Sequence, residues 1–521
     1  MKFNKITLSV LFIIVAQISA ETNSGKIVTG DDKPLKTSKL SIKEIVQRSM
    51  EFNPAVRNSK YELVKYDSQF LKSQSKYSWR IVGGADINQG KLPLNQAQLF
   101  SGTKTQTNKY ALGTEKVFST GTYFKVEASS QRFDSNAFEG NNAPGAFRAF
   151  GIPALYTSAV TATLSHDIIK NGFGGFSDMR TQEILKKQSE INKEELSLSL
   201  TNSVVQSLVD YWSYAISDSS LKTFEKLLAN TKSIRDLTKQ KTAIGLSEGF
   251  EVNQWNALYT QTENQLEKTK LERDESKRKI LRTLNLTSDS EIGETTDLVE
   301  TLPAELDFEK DKEYAFKNRG DWKNMKARKD ISALAMKNAK TNALPSLTVA
   351  GSYAYTGQTI TSPQDSFTDS ALGASSFKYH NLNGSAKLNY PLFDPGVKVD
   401  LRDAEILKRQ VALMEEDLKK EIEDDIQSRI DSVIVGHKIL QNAIKTKKDS
   451  ETYYNGILNS FRSGRFTAIA VKNALDSFVQ NDLAEVQARI NYNINLLRYE
   501  VAKNSLLKKY DINVDALVES F

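Results

Sequence analysis

"LNYPLFDPGVKVDLRDAE" (residues 388–405) changes its periodicity partway through. Up to Tyr390 apolar and polar residues alternate, as in a strand with two unlike faces. After Gly396 the apolar residues fall three or four apart and no further proline occurs, which is the signature of a helix. The stretch predicts a strand running into a long helix through a corner from Pro391 to Pro395 and Gly396. Proline cannot donate to a strand ladder, and Gly396 is expected to relax the backbone before the helix begins. "LSHDIIKNGFGGFSDMR" (164–180) makes the same change. Aligning Leu164 with Leu388 pairs Ile168-Ile169 with Leu392-Phe393 and Gly172 with Gly396. The chain reads as two copies of one plan.

Upstream of the second corner, Leu347, Val349, Gly351, Tyr353 and Tyr355 alternate with Thr348, Ala350, Ser352 and Ala354. The returning strand carries Leu382, Gly384, Ala386, Leu388 and Tyr390. The first half repeats this with Trp79, Ile81, Gly83, Ala85 and Ile87 outbound, and Tyr156, Ser158, Val160, Ala162 and Leu164 inbound. Nine or ten alternating residues with aromatics near the ends suit a tilted strand of a membrane barrel. They also suit a half-buried strand of a soluble sandwich. The first half holds extra material: 109–130 predicts a further hairpin around Ser119-Thr120-Gly121, and 136–153 reads as an exposed loop.

No proline lies between 153 and 303, or after 395, so long helices can run there. From Gly172 to Gly245 and from Gly396 to Gly464 the helices would be about 100–110 Å long. One return is predicted in two pieces, Leu246 to about Leu286 and Tyr314 to Leu344. The other combines Arg465 to Lys509 with a helix from Ser41 to Tyr77. The organisation expected is a first repeat at 40–286, an acidic equatorial linker at 287–312, a second repeat at 313–509 and a tail at 510–521. Leu407, Val411, Met414, Leu418, Ile422, Ile426, Ile430 and Ile434 form a stripe stepping by slightly more than 3.6 residues, so it drifts around its helix. Core packing is its expected role.

Residues 1–20 carry a basic start, a short apolar run and Ile18-Ser19-Ala20 before Glu21, the pattern of a secretory signal peptide. Residues 21–39 would be an N-terminal extension. No cysteine occurs among the 521 residues, so an exported chain would fold without disulfides. Losing Lys2 and Lys5 lowers the formal charge from +6 to +4, and interspersed charges give no nucleic-acid footprint. Export without disulfides weighs the strand reading toward the outer membrane.

No enzyme constellation, cofactor motif or metal-ligand spacing emerges. His166, His380 and His437 are far apart in sequence, and an aromatic-belt role is expected for His166. "NGFGGF" (171–176) lacks the phosphate-loop lysine and reads as the counterpart of the Pro-Gly corner. In "RGD" (319–321), Asp321 is expected as a helix N-cap.

From about Leu40 to Lys509 the chain resembles the TolC-type outer-membrane channels that serve efflux pumps and type I secretion. "LSIKEIVQRSMEFNPAVRNSKYE" (40–62) is similar to the family's first helix, and "ALPSLTVAGSYAY" (343–355) to its helix-to-strand passage. "YPLFDPG" (390–396) is similar to the strand-to-helix exit, and "SFRSGRFTAIAVKNALDSF" (460–478) to the glycine turn and following helix. The resemblance implies a homotrimer with a β-barrel in the outer-membrane lipid and a long α-helical barrel in the periplasm. It implies two structural repeats per protomer, and partners in a periplasmic adaptor and an inner-membrane transporter.

The resemblance makes "AIGLSEGFEVNQ" (243–254) and "RSGRFTAIAVKNA" (462–474) the periplasmic tip, with Gly245, Leu246, Gly464, Arg465 and Phe466 facing the adaptor. Acidic residues six and nine positions beyond the second glycine often constrict the family's entrance. Here Ala470 and Asn473 stand in those places, and Glu251 and Gln254 in the first repeat. Three copies of Glu251 around one axis would attract cations; a solvated helix-surface glutamate fits equally well. The strand count also departs from the family. Four strands per protomer are usual, whereas the first repeat here offers four by itself. Either the barrel is larger or the 109–130 hairpin lies outside its wall. The leading reading is a passive outer-membrane exit duct. Its rival is a surface-anchored structural or adhesive coiled-coil protein, which predicts sustained heptads and no alternating strands.

Overall fold

The computed structural model of the protein describes residues 36–93, 102–137, 154–172, 176–245, 247–295, 298–359 and 366–519. The signal-peptide reading at 1–20, most of the 21–39 extension, most of the 136–153 loop and Leu246 lie outside them.

Strand β1 (Lys36–Leu40) pairs in parallel with β6 (Glu291–Thr295). This pair, joining the extension to the linker, has no counterpart in the sequence reading. Ser41 then caps α1 (Ile42–Phe52) in a reciprocal capping box with Glu44. The single helix expected from Ser41 to Tyr77 is instead three. Asn53 adopts an extended conformation, ends α1 and caps α2 (Pro54–Val64), with Pro54 in the first helical position. Proline has no N–H to continue the preceding ladder, which explains the break. The third is α3 (Ser68–Gln74).

Six strands follow the alternation: β2 (Arg80–Lys91), β3 (Lys104–Val117), β4 (Tyr123–Ser135), β5 (Leu155–Asp167), β7 (Ser346–Thr359) and β8 (His380–Asn389). They form one antiparallel sheet in that order, open at β2 and β8 within a single chain. The predicted extra hairpin is β3–β4, and it sits inside this sheet rather than beside it.

Helices α4 (Phe176–Ala243) and α9 (Pro395–Arg462) each have 68 residues, and α5 (Gly249–Thr283) and α10 (Ala468–Ala502) each have 35. At 1.5 Å per residue the long pair extends about 100 Å. The first return is completed by α6 (Phe308–Asn318) and α7 (Gly320–Asn342). Asp321 is not the N-cap of α7. Arg319 holds that position, and the Asp321 carboxylate, one step inside the helix, accepts a forked pair of hydrogen bonds from the Arg319 guanidinium. Arg319 also donates to Asp425 and to the Ala502 carbonyl, so "RGD" is folded into a junction of three helices.

A helical core joins Ile45 and Val46 of α1, Leu63 of α2, Leu208 and Trp212 of α4, and Ile490 of α10. A second unites Ile422, Ile426, Ile430, Val433 and Leu440 of α9 with Tyr492 and Tyr499 of α10. The α9 stripe is therefore only partly core. Leu407, Met414 and Ile434 are exposed in the single chain, because burial drifts from Ile430 to Val433 and Leu440. Burial, followed by a hydrogen bond to Asp311, raises the pKa of the Tyr499 phenol, and Lys503 pairs with the same carboxylate.

Candidate functional site: a two-faced sheet and paired helical tips

Helix α9 ends in a Schellman motif. Arg465 donates its N–H to the Ser460 carbonyl and Gly464 to that of Phe461, with Gly464 at φ +78°. Helix α4 ends similarly, with Gly245 at φ +75° donating to Thr242. A side chain at either glycine would meet only open space, so the left-handed backbone, not crowding, selects the residue. Arg465 and Phe466 are exposed beyond the second turn.

Behind the turns, Ile234, Trp255, Ile457, Phe461, Val471 and Leu475 close a tip core drawn from both hairpins. Lys241 fastens them. Its ammonium donates to the Phe461 carbonyl and lies 4.1 Å from the centre of the Phe461 ring, with the side chain buried. No sequence motif announces this clasp, since its partners are 220 residues apart. Glu251 lies in the first turn of α5, where a carboxylate favours the helix dipole, and accepts a hydrogen bond from Ser247. Asn473 is exposed on α10, Ala470 packs on the tip core, and among the described residues no hydrogen bond joins Glu251 to Asn473.

At the other end of the long helices the two corners differ. Asp394 caps α9 by accepting from the Gly396 N–H at 2.8 Å, with Pro395 in the first helical position. Gly396 is therefore already helical. The conformational joint is Phe393 at φ +57°, an exposed residue, with Pro391 ending the strand behind it. In the first corner Gly172 does take the left-handed conformation, at φ +53°. Around it Asp167 accepts from the N–H groups of Ile169 and Lys170, and Asn171 bonds Asp178. His166 lies between Thr122 of the β3–β4 turn and the Gly172 carbonyl. It ties the extra hairpin to the corner.

The register puts Ile81, Ile87, Tyr110, Leu112, Phe124, Val126, Val160, Leu164, Val349, Tyr353, Leu382 and Leu388 on one face of the sheet. Many of these are exposed in the single chain. Charges on that face, among them Lys116, Arg132 and Asp134, stand toward strand ends. The opposite face bears Asp86, Lys109, Glu115, Thr161, Thr163 and Lys387, and the Lys125–Glu127 ion pair at 2.5 Å. From Leu347 to Tyr355 the apolar face runs about 27 Å along the strand. A tilt of about 40° reduces this to about 21 Å, most of the roughly 25 Å apolar band of an outer-membrane barrel. Helix α8 (Ser366–Ser375) lies across the apolar face. Ser370 bonds Ser158 at 2.6 Å, Phe367 meets Tyr156 edge-on, and Gly357 leaves no room for a side chain beneath Ser370 and Ala374.

Among the described residues no helix is long and apolar enough to cross a membrane, and no group of three or more acidic or histidine side chains is placed to hold a metal ion.

No protein-family model matches the chain, and no curated protein matches it in sequence. Solved structures do match. The outer-membrane channel OprN superposes with a TM-score of 0.64 at 13% identity, over 91% of this chain and 94% of its own. VceC of Vibrio cholerae gives 0.63 at 12% identity, over 89% and 95%. CmeC of Campylobacter jejuni gives 0.63 at 11%, over 91% and 90%. Over about nine-tenths of its length the chain thus has the fold of the TolC-type outer-membrane channels.

Proposed function

We propose that the protein is the passive outer-membrane exit duct of a tripartite efflux pump or type I secretion system. It would act as a homotrimer, with the sheet in the outer membrane and the helices in the periplasm. One observation carries the reading. A sheet with one apolar and one polar face stands at one end of two equal 68-residue helices, and two glycine turns stand at the other. The apolar face suits lipid and the polar face a water-filled lumen. The exposed Leu407, Met414 and Ile434 of α9 suit packing against a neighbouring copy. The adhesin rival predicts no such sheet.

In this reading Gly245, Leu246, Gly464, Arg465 and Phe466 meet the adaptor, and docking draws the tips apart by favouring an open state. Glu251 would form the entrance ring of charge, with Asn473 adding a neutral ring. The first test places a photo-crosslinking residue at Phe466 in intact cells. A periplasmic adaptor with a proton-driven pump is expected for small-molecule efflux, and an adaptor with an ATP-driven transporter for protein secretion. A correctly assembled trimer that captures nothing in the periplasm would refute the tip assignment.

A further inference from the structure

We infer that three copies of this chain close an eighteen-stranded barrel, wide enough at its outlet to pass polar macromolecular cargo such as a polypeptide chain. The inference rests on the duct reading above and concerns its exit. All six strands are continuous neighbours, and β3–β4 is bonded on both sides, to β2 and to β5. The hairpin is no flap. Gly121 at its turn, φ +78°, has Asn171 and Asp178 so close that any side chain there would collide, and Thr122 bonds His166. Its apolar residues, Leu112, Phe124 and Val126, continue the apolar face, with Thr114 and Lys116 toward the turn, and Lys125 and Glu127 extend the polar one. A strand pair outside the wall would have no reason to keep both faces in register with its neighbours.

The edges permit closure. With an even number of strands, β2 and β8 run in opposite senses, so β8 of one copy meets β2 of the next as an antiparallel pair. Repeated around an axis, this heterologous contact forms a ring without free edges. Strands about 4.8 Å apart and tilted by about 40° give a backbone diameter of about 36 Å for eighteen strands and about 24 Å for twelve. Side chains filling about 5 Å of each wall leave bores of about 26 Å and about 14 Å. The described part of the β7–β8 connection does not narrow this. Helix α8 packs on the apolar, outer face and leaves the polar face clear. Threonine, serine and paired charges occupy the middle of that polar face, and large apolar side chains such as Val117, Tyr123, Phe133 and Leu155 stand toward strand ends, so a hydrated cargo meets little apolar surface mid-barrel.

The test uses the full chain, which has no native cysteine to confuse labelling. Thr161→Cys places a thiol mid-strand on the polar face. Maleimide polymers of graded diameter are applied outside intact cells, and trimer assembly is followed in parallel. Polymers up to about 20 Å across are expected to react, since the eighteen-stranded bore is about 26 Å. Reaction of small maleimides with a cut-off near about 14 Å would overturn the eighteen-stranded wall and leave the duct reading intact. Absence of a membrane-inserted trimer would instead refute the duct itself. Deleting 104–135 removes the hairpin and leaves β2 and β5 antiparallel. In an assembled trimer of that variant the cut-off should fall by nearly half, and an unchanged cut-off would refute the inference. If the variant fails to assemble, the cut-off of the full chain still decides.

Discussion

The two halves of the chain build matching helices and unlike corners. Each long helix has 68 residues and each tip return 35, and both tips turn at a left-handed glycine. At the sheet, the first corner is a bonded cluster of Thr122, His166, Asp167, Asn171, Gly172 and Asp178. The second, Pro391 to Gly396, has only local ties: the N-cap hydrogen bond of Asp394 and one from the Leu392 N–H to the Tyr390 carbonyl. The difference follows from the inserted hairpin. Its turn fills the first corner and needs polar partners there, whereas the second corner has no insertion to receive. Helix length must be conserved between halves that share a tip, while a corner can be rebuilt locally.

The strongest test of this contrast is Gly121→Val. The substitution forces a β-branched residue into the left-handed region and drives it against Asn171 and Asp178. It should cost about 2–5 kcal/mol, combining backbone strain with overpacking. The thermal midpoint of the purified protein, compared with the wild type at one scan rate, should fall by many degrees. An unchanged midpoint would mean that the hairpin turn is not seated in the first corner.

Next in size is Lys241→Met, which tests the feature joining the two halves. Removing the ammonium deletes a charge-assisted hydrogen bond to the Phe461 carbonyl, which keeps only the Gly464 N–H, together with the contact to the Phe461 ring, a loss of about 1.5–3 kcal/mol. Global stability should change little if the tip opens on its own. Trp255, buried in the tip core, should then become accessible to an aqueous quencher. Unaltered quenching would show that the clasp does not hold the tips together.

These two sites mark where the sequence could be read and where it could not. Alternation gave the six strands, and proline spacing gave the long helices, because both are local consequences of burial and backbone chemistry. Gly245 and Gly464 were legible because a helix ending in a left-handed turn selects glycine. Gly396 was misread for a related reason: glycine beside proline suggested a flexible joint, while Asp394 and Pro395, an N-cap followed by a first-turn proline, already specified a helix start. The left-handed Phe393 has no local signature. Nor has the parallel pair β1–β6, whose strands have five residues each, or Lys241, whose acceptor is set by tertiary packing.

The two corner glycines, paired by alignment, should therefore respond differently to alanine. Gly172→Ala puts a side chain into a left-handed conformation and should cost about 1–2 kcal/mol. Gly396→Ala places a better helix former in the first turn, where the new atom meets only the Asp394 carboxylate at 3.1 Å. The change should stay within about 0.5 kcal/mol of neutral, because the helix-propensity gain offsets that close approach. Thermal midpoints of the two variants, measured side by side, test whether the alignment of the halves extends to backbone conformation. Equal losses would restore Gly396 as a joint.

The smallest effect concerns an ion pair that ties the first half to the C-terminal tail. Lys193 of α4 donates to Asp515 of the C-terminal helix α11 (Val514–Glu519). The hydrogen bond, then the charge of Lys193, lowers the Asp515 pKa, and the same bond raises that of Lys193. A lowered carboxylate pKa contributes stability above the ordinary value of about 3.9, and that contribution is lost as pH falls through the lowered value. For Lys193 the sign reverses: its contribution is present below about 10.4 and is lost as pH rises through the raised value. Between these limits the tie is intact. Asp515 is largely exposed, so solvent screening holds the pair below about 1 kcal/mol. Asp515→Asn should accordingly speed proteolysis of the C-terminal helix modestly at neutral pH and make no difference under strongly acidic conditions. Equal rates at neutral pH would show that the tail is held by its apolar contacts, Leu517 and Val518 on the helical core, and not by this charge.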